Sequence, residues 1–278
     1  MHTIPTTPMP DGGAMPVFGL GTWGMGERAD AARTEIAALR HAMERGVTLL
    51  DTAEMYGSGG SERVVGEAVR GKRDGMFIVS KVLPTNASRA GTIAACERSL
   101  RNLSTDRIDL YLLHWPGSHK LAETVDAFET LRDAGKIGAW GVSNFDTEEM
   151  DELEAIAPGC TANQVLYNLT RRGVEYDLAP WLARRTIPLM AYSPIEQARL
   201  LRNPALGRIA EAHGATPAQI ALAFLLAQPN VVVIPKSSRP KRIDENLGAL
   251  EVELTQADLA ALDEAFPPPT RKTGLEML

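Results

Sequence analysis

The feature that most constrains the fold is a regular alternation of short apolar runs with segments of helical length. The eight runs are VFGLG (17–21), VTLLD (47–51), MFIVSK (76–81), IDLYLLH (108–114), IGAWGVSN (137–144), ANQVLYN (162–168), IPLMAYS (187–193) and VVVIPKS (231–237). Apolar residues are continuous within each run, as in parallel strands that are covered on both faces. A strand followed by a helix, repeated eight times, predicts an α/β fold of the (β/α)8 type, the TIM barrel.

The segments between the runs carry helix signals. Helices are predicted over residues 30–45, 61–69, 88–103, 121–134, 147–156, 177–184, 240–247, and as a pair within 204–228. An extra C-terminal helix is predicted over 255–266, with Thr255 as its cap and Asp258 three residues on. A short N-terminal β-hairpin should turn at Asp11-Gly12-Gly13. No linker divides the chain, so we expect residues 1–278 to form one domain.

Composition excludes several classes of function. The net charge is −6 with acids and bases interspersed, so no basic patch indicates nucleic-acid binding. The two cysteines, Cys96 and Cys160, lack the spacing of a metal or redox motif, and we expect no metal site. No signal peptide and no run of ~18 apolar residues occurs. We expect a cytoplasmic protein that does not bind membranes.

One motif favours a different fold. Residues Gly19 to Gly24 match G-x-G-x-x-G, and Asp51 follows the next strand, as in a Rossmann-type NAD(P) dehydrogenase. A Rossmann helix should begin within the glycines, but Met25-Gly26-Glu27-Arg28 delays it, and bulky Trp23 would hinder a close pyrophosphate. The strand–helix alternation also leaves no separate substrate domain. The barrel is favoured, with the Rossmann fold as the alternative.

Polar residues end most of the predicted strands. From the second strand to the eighth they are Asp51, Lys81, His114, Ser143 with Asn144, Gln164, Tyr192 with Ser193, and Lys236 with Ser237, while Tyr56 lies in a glycine loop after the second strand. Each residue alone has an ordinary structural explanation. In a barrel, however, active sites lie at the carboxyl ends of the strands, so the set predicts one shared site.

Seven segments carry a family resemblance. DTAEMYGSGGSE, IVSKV, LLHWP, WGVSN, NQVLYN, AYSP and IPKSSRPKRIDEN occur in this order, and together they resemble the aldo-keto reductase family. The resemblance covers essentially the whole barrel. It implies NADPH-dependent reduction of an aldehyde or ketone to an alcohol, and a catalytic tetrad of Asp51, Tyr56, Lys81 and His114. The similarity is greatest to a bacterial branch that includes methylglyoxal and diketogulonate reductases.

The chemistry of these residue types agrees with the implied roles. Hydride transfer to a carbonyl carbon leaves negative charge on oxygen, which needs a proton and hydrogen bonds. A free tyrosine, with a pKa of about 10, is a slow acid, and a neighbouring ammonium should lower that pKa. We therefore expect Tyr56 to be the general acid, Lys81 to tune it, Asp51 to hold Lys81, and His114 to orient the carbonyl.

The resemblance also implies the cofactor contacts. Ser143, Asn144 and Gln164 should hold the nicotinamide carboxamide, Tyr192 should stack on the ring, and Gly21, Thr22 and Asp51 should lie near its ribose. The remaining cofactor-binding residues are Ser193, Pro194, Ile195, Lys236, Ser237, Ser238, Arg242, Glu245 and Asn246. Lys236 and Arg242 should bind a 2′-phosphate, which favours NADPH over NADH. Arg239 departs from the threonine common in the family.

Trp23, Met55 and Trp115 should line the substrate pocket, since each neighbours a tetrad or cofactor position. The loop of residues 116–120 and the C-terminal tail are short, which predicts an open site for several small carbonyl compounds. We expect a monomer. A second function remains open, because some members of the superfamily are regulatory partners of ion channels that bind NADPH with little turnover.

Overall fold

The computed structural model describes residues 2–278. A hairpin comes first, with β1 (Thr6–Pro8) antiparallel to β2 (Ala14–Pro16), and Gly12 has a positive φ of +84° in the predicted turn. Met9 and Met15 are buried against strand residues such as Leu49 and Leu110. The hairpin therefore closes the amino-terminal end of the sheet, where burying a methionine contributes about 1.5–3 kcal/mol.

The eight predicted strands form one parallel sheet. They are β3 (Gly19–Gly21), β4 (Leu49–Asp51), β5 (Phe77–Val82), β6 (Ile108–Leu113), β7 (Ile137–Ser143), β8 (Asn163–Leu166), β9 (Leu189–Tyr192) and β10 (Val231–Val233). Each strand pairs with the next one in the sequence, and parallel bridges Phe18↔Val233 and Gly21↔Lys236 join the two ends. The predicted barrel is confirmed, and the Rossmann alternative is wrong because no helix begins within Gly19 to Gly24.

Ten α-helices occur in the described chain. They are α1 (Ala32–Glu44), α2 (Gly60–Val69), α3 (Arg89–Leu103), α4 (Leu121–Asp133), α5 (Thr147–Ile156), α6 (Leu178–Arg184), α7 (Pro204–Ala212), α8 (Pro217–Leu226), α9 (Pro240–Leu247) and α10 (Gln256–Ala265). The extra C-terminal helix is thus present as α10, with the expected cap: Thr255 Oγ1 accepts from the Asp258 backbone N–H at 3.2 Å. Among residues 2–278, no helix has the length and apolar character that crossing a bilayer requires.

Two apolar layers hold the barrel together. The strand residues that point inward, among them Val79, Leu110, Met190 and Val232, pack with the hairpin methionines. A larger layer between strands and helices includes Tyr111, Phe128 and Trp140. The inner layer fills the amino-terminal part of the barrel, so the polar ends of the strands are left at the opposite end.

The tail after α10 has no regular secondary structure but is fixed by ion pairs. Lys272 lies 2.9 Å from Glu148 and 3.4 Å from Asp177, and Arg171 lies 2.5 Å from Glu276. The sequence predicts only a short tail here. The ion pairs hold the tail against α5 and the segment after β8, and its last residue, Leu278, comes near the Tyr192 hydroxyl.

Candidate active site

Three polar side chains converge at the carboxyl ends of β4 and β5. Lys81 Nζ donates to Asp51 Oδ1 at 2.9 Å, to Asp51 Oδ2 at 2.8 Å and to the Thr52 carbonyl at 2.9 Å. It also lies 3.3 Å from the Tyr56 hydroxyl. Lys81 is completely buried and Asp51 almost so. A buried ammonium requires such partners, and these leave it directed at the phenol.

Glycines explain how Tyr56 reaches this position. The turn Tyr56–Gly59 contains Gly57 and Gly59 at positive φ, 56° and 79°, where glycine carries no steric cost. The next residue, Gly60, packs on the loop at Gly26, and a Cβ on Gly60 would come within 2.2 Å of the Gly26 carbonyl oxygen. The two loops can therefore approach closely, and that contact fixes the loop that carries Tyr56.

The electrostatics of the trio favour a protonated tyrosine. Burial raises the pKa of Tyr56, and the charge of Lys81 only partly offsets this effect. Burial lowers the pKa of Lys81, but Asp51 and Tyr56 outweigh it, so the net shift is upward. The expected lowering of the Tyr56 pKa by Lys81 is present as one contribution and is smaller than that of burial. In this state the phenol holds its proton and the lysine is charged.

His114 follows β6 and lies beside the tyrosine. The ring centroids of Tyr56 and His114 are 5.7 Å apart, edge to face, and the ring centroid of Trp115 lies 4.8 Å from that of His114. Burial, and secondarily the charge of Lys81, lowers the pKa of His114 to about 2. Its Nδ1 is buried and has no hydrogen-bond partner within residues 2–278. A neutral imidazole carries one N–H, and because Nδ1 is buried, a hydrogen bond to a ligand at the barrel mouth would have to come from Nε2.

The residues expected near the carboxamide are also brought together. Tyr192 donates to Asn144 Oδ1 at 3.0 Å, and Asn144 Nδ2 donates to the His114 carbonyl at 3.0 Å. Ser143 Oγ donates to the Gln164 carbonyl at 2.8 Å. Asn144 has a positive φ of 59°, which asparagine tolerates better than most residues. These contacts hold β7, β8 and β9 in one polar cluster next to His114.

Gln164 makes a contact that sequence reasoning missed. Its Nε2 donates to Asp51 Oδ1 at 2.7 Å, across the barrel from β8 to β4. The residues are 113 positions apart, so no local pattern could indicate the pair. The same carboxylate oxygen accepts from Lys81, and Gln164 therefore belongs to the hydrogen-bond network of Asp51, Lys81 and Tyr56.

A cluster of hydroxyl groups lies behind Asp51, and the sequence did not indicate it either. Thr22 is fully buried, and its Oγ1 donates to the Asp51 carbonyl at 2.8 Å. The Ser61 hydroxyl lies 2.6 Å from Thr22 Oγ1 and accepts from Thr52 at 3.0 Å. Thr22, expected beside the ribose, thus uses its side chain to fix the backbone of Asp51. Gly21, which precedes it, is buried and paired with Lys236.

The residues expected at the adenosine end lie after β10 and in α9. Arg242 forms an ion pair with Glu245, with Nη1 at 2.9 and 2.7 Å from the two carboxylate oxygens. Ser237 Oγ accepts from the Arg239 backbone N–H at 3.1 Å, Ser238 is half-buried, and Asn246 is buried. Lys236 is exposed and is not paired with an acid within residues 2–278. This segment therefore presents cations at the surface, one of them already held by Glu245.

The loop after β9 lies between these two groups. Pro194 is buried, Ser193 and Ile195 are half-buried, and the Ser193 carbonyl accepts from Asn168 Nδ2 at 3.0 Å. Glu196 is also buried, and it accepts from the same Asn168 amide at 2.8 Å. The loop is thus held by a buried carboxylate.

Three apolar side chains form the outer rim of the site. Trp23 is 58% and Met55 40% exposed, and Trp115 is half-buried against His114. Exposed large apolar side chains beside buried polar groups are typical of a ligand site. Within residues 2–278, no group of three His, Cys, Asp or Glu side chains is arranged to hold a metal ion.

Comparison with known families gives one match over most of the chain. Residues 17–266 match the model described as "Aldo/keto reductase family". The chain is 50% identical over 272 residues to methylglyoxal reductase YeaE of Escherichia coli strain K12, covering 95% of this chain and 96% of that protein. It is 37% identical over 264 residues to glyoxal reductase of Bacillus subtilis, covering 93% and 91%.

Solved structures agree with this match. An aldo/keto reductase from Klebsiella pneumoniae, crystallised in complex with NADP and acetate, superposes with a TM-score of 0.95 at 47% identity, covering 99% of this chain and 100% of that one. An aldo-keto reductase from the same organism, in complex with NADPH, gives a TM-score of 0.94 at 47% identity and covers both chains completely.

Proposed function

Because the chain belongs to the aldo/keto reductase family, we propose that it uses NADPH to reduce small aldehydes and ketones, including dicarbonyls of the methylglyoxal type. In the reverse direction it would oxidise the CH–OH group of the product alcohol. The similarity to a methylglyoxal reductase and a glyoxal reductase supports this substrate class. The open rim at Trp23 and Met55 supports small substrates of more than one kind.

The residues at the barrel mouth fit the cofactor. The amide and hydroxyl groups of Asn144, Gln164 and Ser143 can form hydrogen bonds with a carboxamide. The half-buried aromatic ring of Tyr192 offers a flat face on which a planar heterocycle can stack. The cations Lys236 and Arg242 suit a 2′-phosphate. When bound, NADPH supplies the hydride that reduces the carbonyl carbon.

The observation that carries the proposal is that Lys81 Nζ joins Asp51 and Tyr56 in one buried trio. Tyr56 would donate its proton to the carbonyl oxygen as negative charge develops there. Lys81 would stabilise the phenolate that remains, and Asp51 would keep Lys81 charged and in place. His114, neutral because its pKa is about 2, would donate a hydrogen bond to the same oxygen.

All the proposed groups come from a single chain, so we propose that a monomer is sufficient for activity and that residues 1–278 act as one domain. Sedimentation at working concentrations should give one species of 30.1 kDa. A dimer that loses activity on dilution would contradict this part of the proposal.

Turnover of methylglyoxal with NADPH tests the function directly. Loss of NADPH absorbance should depend on methylglyoxal, and the reaction should be much slower with NADH. Cofactor binding is measured separately by quenching of tryptophan fluorescence. If NADPH binds but neither methylglyoxal, glyoxal nor a simple aldehyde is reduced, the proposal fails and a regulatory cofactor-binding role is supported instead.

A further inference from the structure

A concavity is lined in part by Ser58 and Gly59 of the loop that carries Tyr56. It has a volume of about 280 Å³ and lies between this loop and the helices α2 and α3. Arg63, Arg98 and Arg101 line it, together with one acid, Glu54. Three guanidinium groups around one depression are notable in a chain whose net charge is −6.

Two of these three arginines are not neutralised. Arg98 Nη2 lies 3.1 Å from Glu54, which accounts for the one acid. Arg63 only approaches Asn102 Oδ1, at 3.4 Å, and Arg101 forms no ion pair with any residue from 2 to 278. The nearby acid Glu97 is already paired with Lys136 at 2.7 Å. Arg63 and Arg101 are therefore free of direct ion pairs, although the buried carboxylate of Glu62, which accepts from Asn102 in the same wall, and the more distant Glu97 reduce the net positive charge around them.

The walls of the concavity are held in place by contacts. Asn102 Nδ2 donates at 2.9 Å to the buried carboxylate of Glu62, which also accepts from Ser80 at 2.7 Å. Gly59 packs so closely on α3 that a Cβ there would come within 2.5 Å of Asn102 Nδ2. The backbone that surrounds the concavity is thus fixed, while the side chains of Arg63, Arg98 and Arg101 are exposed and would have to be ordered on binding.

We propose that this concavity binds a phosphate group, either as inorganic phosphate or as a small phosphate monoester. A phosphate carries up to two negative charges, which match the two unpaired guanidiniums, and the planar fork of arginine suits its oxygens. The exposed hydroxyl of Ser58 lies at the rim and offers a further donor. The lining of the concavity includes none of the residues after β10 that are proposed to hold the 2′-phosphate.

The position of the site connects it to the proposed acid. Ser58 and Gly59 belong to the turn Tyr56–Gly59, and Glu54 accepts from the Leu83 backbone N–H at 2.7 Å, just after the strand that carries Lys81. A phosphate that draws Arg98 away from Glu54 would therefore act on residues that flank Tyr56 and Lys81.

Titration calorimetry with inorganic phosphate tests the proposal. The protein is saturated with NADP⁺, so that phosphate cannot occupy the nucleotide site, and chloride at equal ionic strength is the blank. We expect saturable binding at one site. The double variant Arg63→Gln/Arg101→Gln should bind at least about tenfold more weakly, because two charge-assisted contacts are lost. Arg184→Gln/Arg208→Gln, which removes two exposed arginines elsewhere, should bind like the wild type.

Glycerol phosphate in a second titration distinguishes the two sources of the phosphate group. Tighter binding than inorganic phosphate assigns the site to monoesters, and equal binding assigns it to the free ion. The proposal is overturned if the wild type shows no saturable phosphate heat, or if the Arg63/Arg101 variant keeps wild-type affinity. It is also overturned if the Arg184/Arg208 variant weakens equally. Equal thermal unfolding of all three proteins shows that loss of binding is not loss of fold.

Discussion

The side-chain amide of Gln164 donates to Asp51 Oδ1 at 2.7 Å, across the mouth of the barrel. Asp51 therefore receives donors from β5 and β8, since Lys81 on β5 also donates to both of its carboxylate oxygens. A carboxylate held by two donors has little freedom to rotate, so the direction of the Lys81 ammonium toward Tyr56 is fixed as well. This contact adds Gln164 to the hydrogen-bond network of the proposed tetrad.

Gln164→Leu removes that donor while keeping a similar volume. Losing a hydrogen bond to a buried charge should lower the free energy of unfolding by about 1.5–3 kcal/mol. If Gln164 also holds the carboxamide, KM for NADPH should rise. Urea unfolding and cofactor kinetics measure the two effects, with the exposed Gln197→Leu as a control. Unchanged stability would mean that the contact to Asp51 contributes nothing.

Tyr56→Phe tests the proposed general acid. The variant keeps the aromatic ring and loses the proton, so turnover should fall by about 10²–10⁴-fold. Binding of NADPH should not change, because the hydroxyl lies against Lys81 and is proposed to contact the substrate rather than the cofactor. Single-turnover kinetics and fluorescence titration measure these quantities, and full activity would refute the assignment.

Lys81→Met tests the ion pair with Asp51. The variant leaves a buried carboxylate without its cation, which should cost about 3–5 kcal/mol of stability, and turnover should be lost. The double variant Asp51→Asn/Lys81→Met buries no uncompensated charge and should be more stable than Lys81→Met alone. Both should be inactive. A double variant as unstable as the sum of its single changes would show that the pair is not coupled.

His114 makes the stability of the protein depend on pH. Burial, and then the charge of Lys81, lowers its pKa from 6.5 to about 2 in the folded state. Below about pH 6.5 the unfolded chain binds a proton that the folded chain does not. Stability should therefore fall with decreasing pH, by up to about 1.4 kcal/mol per unit from this group. His114→Gln should show a shallower decline between pH 6 and 4 in urea unfolding, and parallel curves would contradict this expectation.

Arg242→Ala tests the choice between the two cofactors. If Arg242 binds the 2′-phosphate, KM for NADPH should rise by about tenfold or more while KM for NADH stays constant. Glu245→Gln frees Arg242 from its ion pair and should favour NADPH further. Arg208→Ala is a matched control at an exposed arginine of α7. An undiminished preference in Arg242→Ala would exclude this residue as the selector.

Much of the architecture could be read from local patterns. The eight apolar runs became the eight strands, α5 has the predicted bounds, and Thr255 caps α10 as expected. Each of these depends on residues within one turn or one strand, so neighbouring side chains and backbone preferences are enough to specify it. The residue types at the strand ends likewise indicated a shared site, because parallel strands end at the same side of a barrel.

Contacts between distant strands were decided only when the barrel closed. The link from Gln164 to Asp51, the hydroxyl cluster of Thr22 and Ser61, and the ion pairs of the tail join residues that no periodicity relates. The packing of the complete barrel also determines how far each titratable group is removed from water. Lys81 alone would lower the pKa of Tyr56, but burial of the phenol outweighs it, and burial is a property of the complete fold.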